Sequence, residues 1–391
     1  MRILRCYPHA CLGGGSSYDF RSLSVALAMY YPDIGLHIVI PSPPEVNVVK
    51  QQYVWKIPFR VMGSSSTYWP DCKQYNNLSD QELKDYFTGL YKSLLKITRA
   101  IKPNVIHCDF LLPSGWAAAK IGRELNIPVI ITSHGADLKM MEIDERYLLG
   151  AVNNLASVKH FIAYSPDHRD WIQELLPNDY HEKVDYIPGG VDKIYYSPRT
   201  DISFIQQQYK LEPKKFILGV GRFQKRKGFH LLVEAAKQFD YPMILIGNGW
   251  EMESLKDQAV AAGLNNIQFL GFMGLDKTDL LRQFYTAAGV VVIPSLTREE
   301  TLCFVGLEAM ASGATIIASN VGGLKYILNN GEAGVLIEPN NQTELEISIN
   351  ELMRSPELAQ DYSKKARRRV ETEFTWKKVA SKYYNLYRSL L

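Results

Sequence analysis

At 391 residues the chain is long for one hydrophobic core; domains hold roughly 100–200 residues, so two are expected. Its 44 basic and 41 acidic side chains leave a formal net charge of +3, a balance that argues against nucleic acid as the main partner. The five cysteines, without a CxxC pair, argue against a disulfide framework or zinc knuckle and fit a reducing cytoplasm. No apolar run forms a signal-peptide core or reaches the ~20 residues that span a bilayer.

In chain order, short apolar runs alternate with amphipathic stretches. Arg2–Cys6, Leu36–Ile40, Val105–His107, Val129–Thr132 and Phe161–Ala163 are predicted strands, with helices at Tyr18–Met29, Leu83–Ala100 and Gly115–Leu125. A Pro- and Gly-containing stretch, YIPGGVDKIYYSP at Tyr186–Pro198, marks a linker. Beyond it the rhythm returns. Strands are predicted at Phe216–Val220, Met243–Ile246, Ile267–Phe269, Val290–Ile293 and Thr315–Ala318. Helices are predicted at Phe229–Gln238, Glu251–Ala262, Asp276–Thr286 and Val305–Ala311. Apolar runs without clean alternation indicate strands buried on both faces, as in parallel sheets. The fold class expected is therefore α/β, as two doubly wound Rossmann-like domains. Such sheets bind ligands beyond the carboxyl ends of their strands.

Four loops follow strands. Gly13-Gly14-Gly15-Ser16-Ser17 precedes a helix and reads either as an anion seat or as a tight turn. Gly219-Val-Gly221-Arg222-Phe-Gln-Lys225-Arg226-Lys227-Gly228 carries cations: Arg222 offers a fork and Lys227 a point charge for phosphate oxygens, while Lys225 and Arg226 are expected to be solvated. The whole segment reads otherwise as a solvated basic loop. In Glu300–Gly313 two glutamates stand eight residues apart, and the amides around Leu302–Val305 would open a helix toward phosphate. Glu308 sits among Leu307, Ala309 and Met310, where a carboxylate is costly without a partner. Thr132-Ser133-His134-Gly135-Ala136-Asp137 puts a histidine beyond a strand, as a catalytic, sugar-binding or structural residue.

These loops, in this order, resemble the retaining glycosyltransferases of family 4, which have the GT-B fold. The motifs are Glu-x7-Glu (Glu300, Glu308), GRFQKRKG, SHGAD, YIPGGVD and the terminal FTWKKVASKYYNLYRSLL. The resemblance implies two Rossmann-like domains facing across a cleft. Residues 1–190, joined by a helix at about 374–391, would bind acceptor, and 191–373 would bind a nucleotide sugar, UDP- or GDP-linked. It implies that Arg222 and Lys227 bind the diphosphate, Glu308 the ribose and Glu300 the sugar. The amides of Leu302, Cys303, Phe304 and Val305 would line sugar and phosphate. Gly14 and Gly15 would approach the diphosphate, and His134 the sugar. Gly247–Gly249 and Gly271–Met273, with Gly249 and Phe272, would border the base. Where the family has glycines after its first glutamate, this chain has Thr301 and Cys303, whose larger side chains would narrow or reshape the sugar pocket.

Neither a cofactor nor a metal is expected, since no Asp-x-Asp motif follows a strand. A nicotinamide-dependent oxidoreductase is disfavoured by the lack of GxGxxG with a ribose-binding acid. The same loops would also suit a sugar-phosphate synthase, a nucleotide-sugar epimerase or a non-catalytic sugar-nucleotide scaffold. The acceptor, a glycan, lipid-linked or small molecule, would meet the N-terminal domain. There Tyr53, Trp55 and Tyr68-Trp69-Pro70 are either contact surface or buried packing. Lys84, Lys92, Lys96, Arg99 and Lys102 form either a peripheral membrane contact or, the favoured reading, a solvated helix face.

Overall fold

The computed structural model describes residues 1–9, 14–41, 48–62 and 72–391, with only the backbone described at residues 62 and 275. Cys11, Gly13 and Tyr68-Trp69-Pro70 lie outside the described residues. The chain divides into two compact units, Met1–Gly189 with Trp376–Leu391, and Gly190–Thr375.

The first unit contains β1 (Arg2–Cys6), β2 (Gly35–Ile40), β3 (Gln51–Val54), a small pair β4 (Val61–Met62) and β5 (Lys73–Gln74), then β6 (Val105–Asp109), β7 (Val129–Thr132), β8 (His160–Ala163) and β9 (Val184–Tyr186). Seven of these pair in the order β3-β2-β1-β6-β7-β8-β9, all parallel. Every residue of β6 and β7 is buried, as helices on both faces of a parallel sheet require. The helix Asp80–Ile101 starts at a capping box, in which Ser79 Oγ accepts from the Glu82 amide and the Glu82 carboxylate accepts from the Ser79 amide. It buries Tyr86, Leu90, Leu94 and Thr98 at four-residue spacing. Lys84, Lys92, Lys96, Arg99 and Lys102 are all exposed, with Lys102 just past the helix end. Trp55 is buried and its indole donates to the Leu90 carbonyl, so it serves packing. The last helix, Trp376–Ser389, packs on the helix Gly15–Tyr30; the Tyr387 hydroxyl lies 2.6 Å from His107 Nδ1 in β6.

The second unit contains β10 (Ile217–Val220), β11 (Met243–Ile246), β12 (Ile267–Phe269), β13 (Val290–Ile293), β14 (Thr315–Ser319) and β15 (Val335–Ile337). They form a parallel sheet in the order β12-β11-β10-β13-β14-β15. Ile217, Val290, Val292 and Ile317 from three of the strands pack with Leu232 and Val233 in its core. Strand order reverses between β10 and β13 here and between β1 and β6 in the first unit. The carboxyl ends at these two reversals are where a ligand of such a sheet sits. Among the described residues, no helix is long and apolar enough to cross a membrane.

Candidate active site

In the second unit the loops leaving β10 and β13 meet. Lys227 Nζ forms an ion pair with Glu300 Oε2, and Ser295 Oγ donates to the same oxygen at 2.9 Å. Glu300 is only 7% exposed. Burial pushes its carboxyl up, but Lys227, Arg226 and Ser295 outweigh this and hold it down at about 2. Arg226, expected to be solvated, instead lies part-buried with its Nε 3.6 Å from Glu299 Oε2; Lys225 is exposed. Arg222 stands exposed just beyond β10.

Close backbone approaches fix this geometry. Gly228 has φ 68°, and a Cβ there would lie 2.0 Å from the Pro294 carbonyl oxygen, so only glycine lets the Lys227 turn reach the β13 loop. Gly323, just beyond β14, donates its amide to the Glu300 carbonyl at 2.7 Å. Its missing side chain admits the Thr301 carbonyl. Gly249 follows β11 and packs on the Phe223 backbone, while Phe272 follows β12 and is 45% exposed.

The helix Phe304–Ala311 follows, with Cys303 as its N-cap and no side-chain capping bond. Its first intrahelical amide bond runs from Leu307 to the Cys303 carbonyl, so the preceding amides open toward the loop. Leu302 and Cys303 are buried; Phe304 and Val305 are half-buried. Cys303 has φ 74°, the left-handed region that favours glycine. The resemblance has a glycine at this place, and Cys303 keeps the glycine-like backbone there as a strained cap. Cys303→Gly would relieve about 1 kcal/mol of backbone strain but would also remove a buried side chain and free the unfolded chain, each worth a similar amount, so urea unfolding is expected to show no gain in stability.

Four residues after Phe304, Glu308 Oε2 accepts from the Tyr285 hydroxyl at 3.0 Å, and Tyr196 also bonds the carboxyl. Burial pushes the Glu308 carboxyl up to about 7, with both tyrosines opposing. The partner that an apolar helix requires of a carboxylate is thus a tyrosine pair.

In the first unit, Gly14 (φ 100°) caps the helix Gly15–Tyr30, and Gly14 and Gly15 are both exposed. His134 lies beyond β7, with a side chain 5% exposed. Asp137 staples its loop: Oδ1 accepts from Ser133 Oγ at 2.9 Å and from the His134 amide at 3.1 Å, and Oδ2 accepts from the Leu111 amide at 2.9 Å. His134 Nε2 lies 2.7 Å from Asp109 Oδ1 at the end of β6, and Nδ1 lies 3.0 Å from the Tyr164 hydroxyl. The motif's aspartate is therefore a structural residue, and the histidine's own partners come from other elements. Sequence reasoning missed Asp19, Asp109, Tyr164 and Gly323. A signal existed for Asp109, Tyr164 and Gly323, which stand at or just past strand carboxyl ends; none existed for Asp19, which only the fold brings near His134.

Two parallel sheets, each reversing its strand order beside loops turned on glycine, define the class of paired Rossmann-like domains. Similarity to known proteins narrows the class to a family. Residues 201–369 match the family described as Glycosyl transferases group 1, and residues 45–193 match Glycosyltransferase Family 4. The chain belongs to these family 4 glycosyltransferases, of GT-B fold. An uncharacterized glycosyltransferase of Methanocaldococcus jannaschii is 26% identical over 365 residues, covering 92% of this chain and 91% of that protein. The sucrose-phosphate synthase of Thermosynechococcus elongatus superposes with a TM-score of 0.81 at 23% identity, covering 100% and 99% of the two chains. HepE of Anabaena, solved in complex with UDP, superposes at 0.78 with 20% identity and covers 100% of both.

Proposed function

We propose that the chain moves a hexose-type sugar from a UDP- or GDP-linked donor, with retention at the anomeric carbon, to a saccharide, lipid-linked or small-molecule acceptor in cell-surface glycan or glycoconjugate synthesis. The observation that carries this reading is the Lys227–Glu300 pair at the strand reversal of the second unit, beside the amides that open the helix Phe304–Ala311. Arg222, Lys227 and these amides meet the negative charge that develops on the leaving diphosphate, so no metal takes part. Glu300 orients the sugar. Glu308 accepts from the ribose hydroxyls. Phe272 and Gly249 border the base. Gly14 and Gly15 approach the diphosphate and His134 the sugar. The C1–O bond to the diphosphate breaks as the acceptor oxygen bonds C1 on the same face, and the released phosphate oxygen takes the acceptor proton. The HepE complex with UDP supports a nucleoside diphosphate ligand.

Glu308 gives donor binding a pH dependence. A carboxylate accepts two hydroxyls and a carboxylic acid accepts less well, so affinity for the donor is expected to rise with pH through about 7 and then level. Glu308→Gln should flatten the profile. Stability runs the other way at this residue. Its folded pKa lies above its ordinary 4.5, so its contribution is full at low pH and is lost as pH rises from 4.5 to about 7.

Calorimetric titration with UDP, GDP and their hexose conjugates, with and without EDTA, tests the donor assignment. One nucleotide series should bind, unaffected by the chelator. If none binds while a nicotinamide dinucleotide does, the donor reading is wrong.

A further inference from the structure

At the strand reversal of the first unit, charged side chains are buried in series. Arg5 in β1 and Asp109 in β6 are fully buried, with Arg5 Nη2 3.8 Å from Asp109 Oδ2. Asp109 Oδ1 faces His134 Nε2 at 2.7 Å. On the other side of the ring, the Tyr164 hydroxyl lies 3.0 Å from Nδ1 and donates to Asp19 Oδ2 at 2.9 Å. Asp19 is buried on the helix that Gly14 caps.

Counting protons along this series assigns the ring's state. A hydroxyl has one hydrogen. If Tyr164 gives it to Asp19, its oxygen must accept from Nδ1–H. Asp109, an acceptor when ionised, takes Nε2–H. Both nitrogens of His134 then carry hydrogen. We infer that Tyr164 and Asp19 are positioning residues that hold His134 as an imidazolium, a fixed positive charge rather than a proton acceptor in sugar transfer.

The surroundings agree. Asp19, Asp109 and Asp137 face the ring from three elements; against them stand burial and Arg5, while the neighbouring His9, His107 and His168 are themselves pushed down by burial and by His134 and carry no opposing charge at neutral pH. Burial is the largest influence and opposes the charge, yet the carboxylates prevail and the imidazole is raised above its ordinary 6.5. His168 shows the opposite arrangement. Its Nδ1 accepts from the Tyr164 amide at 3.1 Å, which requires a neutral ring, and burial pushes it down to about 3. The competing arrangement at His134 places the proton on Asp19, whose carboxyl is pushed up by burial to about 6. Nδ1 would then be bare.

This inference rests on the reading that places His134 at the transferred sugar, and its test separates the two. Nitrogen-15 NMR of the full chain labelled at histidine, with His134 assigned by its loss in His134→Gln, reads both ring nitrogens. At pH 7 the wild type should show hydrogen on Nδ1 and Nε2. Tyr164→Phe should strip Nδ1 and lower the ring's titration midpoint by about one pH unit. Asp19→Asn, which keeps the tyrosine, should lower it in the same direction. In turnover, kcat should fall as pH rises through the His134 midpoint, and Tyr164→Phe should move that alkaline limb to lower pH. A bare Nδ1 in the wild type, or a midpoint unmoved in both variants, overturns the assignment. If His134→Gln leaves kcat intact while the NMR result holds, the proton assignment stands and the reading of His134 at the sugar fails.

Discussion

Lys227→Ala should reduce donor turnover by roughly 100- to 1,000-fold, the scale of losing one preorganised group at a developing negative charge. It should also destabilise the protein by about 3–5 kcal/mol, because Glu300 is left buried without its cation. The two effects are separable. Combining Lys227→Ala with Glu300→Gln removes the stranded charge, so urea unfolding should recover much of the stability while turnover stays low. The pH dependence carries a further sign. Glu300 is held at about 2 against its ordinary 4.5, so its contribution to stability, ~3 kcal/mol, is present above 4.5 and lost as pH falls toward 2. Glu300→Gln should lose that acid-side dependence. A Lys227→Ala protein with full activity would remove the diphosphate role.

Gly323→Ala should be nearly as damaging, although its side chain would touch no substrate. A Cβ at this position would lie 2.1 Å from the Thr301 carbonyl oxygen and 2.7 Å from the Leu302 α-carbon. Both are backbone atoms that cannot swing aside. The loop bearing Glu300 must move, and the hydrogen bond from the Gly323 amide to the Glu300 carbonyl is strained or lost. A displacement of about 1 Å at a catalytic loop costs ~100-fold. We expect kcat to fall by that order, with the circular dichroism spectrum unchanged. An active Gly323→Ala enzyme would show that the loop tolerates the shift.

Strands buried on both faces were legible because their apolar runs are continuous: β7, β11 and β13 have the bounds expected from Val129–Thr132, Met243–Ile246 and Val290–Ile293, and β1 (Arg2–Cys6) and the less buried edge strand β12 (Ile267–Phe269) also fall where expected. The other three edge strands of the two sheets were not. β3 (Gln51–Val54) and β9 (Val184–Tyr186) carry polar residues, and β15 (Val335–Ile337) is only three residues long. Helix Ala136–Ile143 begins inside the SHGAD motif, where the loop reading hid it, and Glu145–Asn154 was not anticipated although Tyr147, Leu148, Ala151 and Val152 carry helical spacing. At the site, Lys227 and Glu300 were legible from their loops, but not that they pair, since 73 residues separate them. The carboxylate near Tyr285 was expected to need a partner; which residue supplies it depends on how the helix Thr278–Ala287 packs. The conformation of Cys303 is a backbone property that a side chain's identity conceals.

The most direct measurement is the release of nucleoside diphosphate from a panel of UDP- and GDP-hexoses by the purified chain without added acceptor or metal, with Glu300→Gln and Lys227→Ala alongside. Slow release from one donor is expected, naming nucleotide and sugar together, with its loss in both variants. No release from any donor that binds, or release equal in wild type and variants, would contradict the assignment of sugar transfer to the Lys227–Glu300 site.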